Sequence, residues 1–115
     1  MDFDISKVSG IGDYHTERAT LGKGNDAEEV IIYRVPEENS VTSPMKPFLI
    51  LRKNTLEVRT DAKLRDLLRE KYESVMESRY FGKGGVEIVN SGQLSTDELN
   101  DLVRLSFNMS KEITA

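Results

Sequence analysis

The chain of 115 residues has no cysteine and a single histidine, His15. The first absence excludes disulfides, thiolate metal sites and thiol nucleophiles, and the second removes most acid–base and metal templates, which need several imidazoles or thiols. Long apolar runs are missing too. The longest, residues 48–51, is strand-sized, against roughly 18 residues for a membrane span. The N-terminal Met1-Asp2-Phe3-Asp4 is acidic, where a secretory signal carries positive charge followed by an apolar stretch. These features predict a cytoplasmic protein with no membrane partner, in which the sequon Asn108-Met109-Ser110 meets no glycosylating enzyme.

What is present predicts one folded domain over residues 1–115. Hydrophobic residues make up 37% and charged residues 31%, polar for a globular chain but not a disordered composition. The net charge of -4 is unevenly spread. Residues 1–45 carry a net -5, residues 46–86 a net +4 and residues 87–115 a net -3. A basic middle in an acidic protein suggests a polyanion-facing surface there, because local charge sets the field at a contact.

Residues 1–28 are punctuated by Gly10, Gly12, Gly22 and Gly24 and read as irregular or β, with an edge strand over 14–21. The run Val30-Ile31-Ile32-Tyr33-Arg34-Val35 is β-branched and aromatic and stops at Pro36, so 29–35 is a strand. Residues 36–47 hold all three prolines and read as a loop. Residues 46–53 and 56–59 follow as a second and third strand about the Asn54-Thr55 turn. Thr60 or Asp61 caps a helix whose apolar positions are Leu64, Leu67, Leu68, Tyr72, Val75 and Met76, at the spacing of one helical face. Residues 86–89 form a short strand. Ser95 and Glu98 then make a capping box, with Leu94 and Leu99 at hydrophobic-staple positions. The helix they start runs to about Ser110, with Leu99, Leu102, Val103, Ser106 and Met109 on its buried stripe. The fold class expected is α+β: an antiparallel sheet of about 4–5 strands with two main helices packed on it.

From Lys46-Pro47-Phe48 to the C-terminus the order of motifs resembles the MmcQ/YjbR family of small bacterial proteins. The residues that carry the resemblance are Leu56-Glu57-Val58-Arg59-Thr60-Asp61, then Leu64, Leu68, Arg69-Glu70, Tyr72 and Val75, then Ser91-Gly92-Gln93-Leu94, Glu98-Leu99, Leu102-Val103 and Ser106-Phe107. The family's Met-Asn step and tryptophan are replaced by Phe81-Gly82 and Val86. The resemblance implies an α+β domain likened to a double-wing DNA-binding arrangement.

Catalysis has few parts to draw on. His15 neighbours Asp13 in a glycine-rich segment, and residues so close in the chain do not form a triad. The acidic pairs Glu28-Glu29 and Glu37-Glu38 lack an EF-hand frame. Gly22-Lys23-Gly24 and Gly82-Lys83-Gly84-Gly85 lack the spacing and the Ser/Thr of a phosphate loop; the second reads as a turn needing positive φ. No catalytic, cofactor or metal residue is therefore assigned, and a non-enzymatic role is expected. The binding candidates are Arg52, Lys53, Arg79, Tyr80 and Lys83, as cations and an aromatic edge for weak DNA binding. The alternative is a protein-protein interaction module, in which the Tyr80-Phe81 step flanked by Arg79 and Lys83 would be the contact. Convergence of the cations on one face would favour the polyanion.

Overall fold

The computed structural model describes residues 3–36 and 46–113. Six strands form one antiparallel sheet: β1 (His15–Leu21), β2 (Glu28–Arg34), β3 (Pro47–Leu51), β4 (Thr55–Arg59), β5 (Val75–Ser78) and β6 (Gly82–Val89), in the order β1-β2-β3-β4-β6-β5. Two helices, α1 (Ala62–Lys71) and α2 (Thr96–Ile113), pack on it. The architecture is α+β, with one or two strands more than the sequence suggested. Most of the proline-rich loop, residues 37–45, lies outside the described residues, and Glu37-Glu38 with it.

Alternation along the strands explains the main core. Leu49, Leu56, Val58, Val86 and Ile88 point to the same side and are buried there beneath Leu99, Leu102, Val103 and Phe107 of α2. Leu64, Leu68 and Tyr72 of α1 close the same side. Tyr14, Tyr33, Phe48 and Phe107 meet edge to face or tilted, with centroids 5.0 to 6.3 Å apart, the arrangement that ring quadrupoles favour. The segment before β1 joins this core through Ile5, Val8 and Ile11.

Both helix starts follow the side chains that announce them. The Asp61 carboxylate accepts from the Leu64 amide at 2.7 Å. At α2 the Ser95 and Glu98 side chains each accept from the other's backbone N–H, and the staple residues Leu94 and Leu99 are both buried. The end of α1 differs from the periodicity. Val75 and Met76 belong to β5, and Leu67 is 56% exposed. The helix stops at Tyr72, whose backbone is extended. There the Ser74 amide is taken by the Gln93 side chain and the Ser74 carbonyl by the Val89 amide. Continuing the helix through Val75 would forfeit the ladder to β6, in which Val75 stands opposite Ile88.

Two buried hydroxyls tie α2 to the sheet. Ser106 Oγ donates to the Phe48 carbonyl at 2.6 Å and accepts from the Arg59 amide at 2.8 Å. Those two backbone groups lie just beyond the last paired residues of β3 and β4, Leu49 and Val58, so the hydroxyl replaces a missing rung. Ser110 repeats the contact at the Pro47 carbonyl. Ser106→Ala should therefore lower the unfolding free energy by about 2 kcal/mol, by orphaning a buried N–H and C=O. Urea denaturation with an unchanged m-value is the check.

Candidate interaction site

The face of the sheet away from the helices holds a second, smaller core. Val30, Ile32 and Ile50 are buried there, with Ala19, Leu21, Tyr80 and Phe81 packed against them. Tyr80 and Phe81 therefore do not form a free aromatic edge. The connection from β5 to β6 folds back over this face, and its rings stack edge to face at 5.1 Å. Arg59 lies over the Phe81 ring at 4.8 Å. Gly85 is what leaves room: a Cβ there would collide with the Val58 carbonyl and lie 2.8 Å from Phe81 Cβ. Gly82 takes the positive φ of 59 expected of the cluster, but Gly82 to Gly85 open β6 rather than forming a turn before it.

Two glutamates hold this connection in place. Glu57 on β4 and Glu87 on β6 are directly opposite in the register, and both are withdrawn from water. Like charges so placed repel, and a buried carboxylate without partners is costly. Each has its own arginine. Glu57 receives Arg52 Nε at 2.6 Å, Ser78 Oγ at 2.6 Å and the Tyr80 amide at 2.8 Å. Glu87 receives Arg79 through Nε at 2.9 Å and Nη2 at 2.7 Å, and Thr55 Oγ1 at 2.9 Å. Arg52 also reaches Glu28 at 3.0 Å. Burial pushes the Glu87 carboxyl up, but hydrogen bonds from Arg79 and Thr55 outweigh it and hold the group below the ordinary glutamate value. Burial likewise opposes the charge on Arg52, and its bonds to Glu57 and Glu28 raise its pKa overall.

The sequence-predicted cations therefore fall into two groups. Arg52 and Arg79 come together around Glu28, Glu57 and Glu87, and Arg79 keeps an exposed side chain while its guanidinium bonds Glu87. Arg52 is itself buried. Lys53 is exposed in the turn between β3 and β4, and exposed Lys83 gives its carbonyl to Arg65 at 2.6 Å. The two glutamates escaped sequence reasoning, although each announces itself as a lone carboxylate between apolar strand residues, in Leu56-Glu57-Val58 and Val86-Glu87-Ile88.

A different feature remains open. On the helix side of β1 to β3, beyond the reach of α2, lies a cleft of about 540 Å³. Its floor includes Ile31 and Leu51, and Arg18, Thr20, Glu29 and Lys53 also line it. Nothing in the sequence marked Arg18, Thr20 or Glu29, because only strand pairing brings them beside Lys53. Among the described residues no cluster of His, Asp or Glu is arranged to hold a metal ion, and no helix is long and apolar enough to cross a membrane. No family model, curated protein or solved structure matches the chain.

Two variants test the glutamate pair. Glu57→Gln places an amide N–H₂ or a weaker acceptor against Arg52 and should cost about 3 kcal/mol, as breaking a buried pair does. Glu87 has a depressed folded-state pKa, so its contribution is complete above the unfolded value near ~4.3 and is lost as pH falls through the folded value. Wild type should accordingly exceed Glu87→Gln in stability at neutral pH, with the gap closing only below about pH 4.3. Thermal melts across an acid series read this directly.

Proposed function

We propose that the chain is a non-enzymatic, cytoplasmic domain of the MmcQ/YjbR kind whose work is to bind another protein. The observation that supports this most is the fate of the cations. Arg52 and Arg79 are held by three carboxylates, Glu28, Glu57 and Glu87, so this cluster carries no excess of positive charge to draw in phosphates. The pI of about 5.1 adds no general attraction for a polyanion.

The cleft beside β1 suits a protein contact better. It combines an apolar floor at Ile31 and Leu51 with charged and hydroxyl groups at Arg18, Thr20, Glu29 and Lys53, and interfaces pair an apolar centre with a polar rim in this way. The α+β architecture supports the family likeness, but fold alone does not carry function.

The test is amide-resolved NMR with two kinds of titrant. Peptides selected against the immobilised domain from a random displayed library should shift the amides of Arg18, Thr20, Glu29 and Lys53. A short random DNA duplex at low salt should leave the spectrum unchanged. Salt-sensitive shifts with the duplex, clustered on Lys53, Arg79 and Lys83, would overturn the reading in favour of weak DNA binding.

A further inference from the structure

We infer that the partner binds as an additional strand on the free side of β1 and places an acidic residue opposite Arg18. This inference rests on the reading of the protein as an interaction domain and names the chemistry of its partner.

An open sheet has two edges, and here they are unlike. β5 has four residues, a register shift between Glu77 and Ser78, and an end tied by Ser78 Oγ to Glu57. Short, bulged edges resist further pairing. β1 has seven residues and pairs with β2 along its whole length without a shift. It contains no proline, and most of its side chains are exposed. Among the described residues no strand pairs with its outer side, which offers a row of backbone donors and acceptors, the template for strand addition.

The side chains say what kind of strand fits. Glu17 lies 3.6 Å from Arg34 on β2, so its charge is answered from within the sheet. Arg18 points to the opposite face, where its neighbour across β2 is the apolar Ile31. It is exposed, and among the described residues it makes no ion pair or hydrogen bond. An opposite charge can reach it from the outer side, and directly opposed unlike charges stabilise a strand pair. Thr16 and Thr20 flank it on that face and offer hydroxyls. Beside it the cleft is lined by three cationic residues, Arg18, Lys53 and the ion-paired Arg52, against one carboxylate, Glu29.

The other face of β1 asks for something different. Ala19 and Leu21 are half-buried against Val30 and Ile32, so residues of an added strand on that side meet an apolar surface. The pattern that satisfies both faces alternates acidic and apolar residues, at the strand period of two. A second copy of this chain fits less well, since antiparallel self-pairing about the centre of β1 would set Arg18 against Arg18.

The probe is a blocked peptide of about eight residues alternating Glu and Val, with a Lys-Val counterpart as control. The Glu-Val peptide should shift the β1 resonances and slow hydrogen exchange at alternate β1 amides, those facing away from β2. The Lys-Val peptide should do neither. Arg18→Glu, at an exposed position, should keep the fold by NMR and reverse the preference, weakening Glu-Val binding by about tenfold or more. Glu-Val binding without alternate protection in β1, or equal binding of both peptides, would overturn strand addition while leaving protein binding intact. The same division follows if neither peptide binds but library-selected peptides shift other amides. Salt-sensitive DNA shifts would remove both readings together.

Discussion

Glu57 and Glu87 face each other across β4 and β6 with neither reached by solvent, and two like charges at such a separation are tolerated only where each is matched by hydrogen bonds and an opposite charge. Meeting that requirement organises much of this face of the sheet. Arg52 and Thr55 come from the ends of the β3–β4 turn, and Ser78, Arg79 and the Tyr80 amide come from the β5–β6 connection. The connection is drawn down onto the sheet as a result. Tyr80 and Phe81 are thereby delivered to Val30, Ile32 and Ile50, which β2 and β3 would otherwise leave open to water.

The two faces solve the burial problem by different physics. Toward the helices the sheet is closed by side chains of complementary shape, with the buried Ser106 hydroxyl supplying the backbone groups that the ends of β3 and β4 leave unpaired. Toward the connection it is closed by an ionic network whose geometry is directional. An apolar contact there would hold the rings as firmly, but it would not specify which backbone amide the connection presents. The bonds from Ser78 Oγ to Glu57 and from the Phe81 amide to Ser78 Oγ fix that choice residue by residue. The same two glutamates engage Arg52 and Arg79, so the charge of both arginines is answered within the network.

Legibility followed the range of the interaction. Asp61, the Ser95–Glu98 box and the Leu94–Leu99 staple act within a few residues, and each stands where the sequence places it. The strands read at 29–35, 46–53 and 56–59 from their β-branched and alternating patterns form within one or two residues of those bounds. Val75 and Met76 were misread because their spacing continues the stripe of α1, while the competing ladder to β6 is formed with residues more than ten positions away. The surroundings of the binding candidates were hidden for a related reason. Arg52 meets Glu28 across 24 positions, and no count of charge along the chain can register that neutralisation. The cleft was invisible altogether, since Arg18, Glu29 and Lys53 become neighbours only through the register of β1, β2 and β3.

The contrast between the two edges bears on what such a sheet is for. A free edge is a hazard, because its backbone groups pair with any extended chain, and proteins shorten, bulge or charge their edges accordingly. β5 is both short and bulged, as a purely defensive edge would be. β1 is long and regular, and its guards are the adjacent charges Glu17 and Arg18 on opposite faces. Charges guard selectively: they repel strands of the wrong pattern and admit one that answers them. Glu17 is already answered by Arg34, and the selectivity of this edge consequently resides in Arg18.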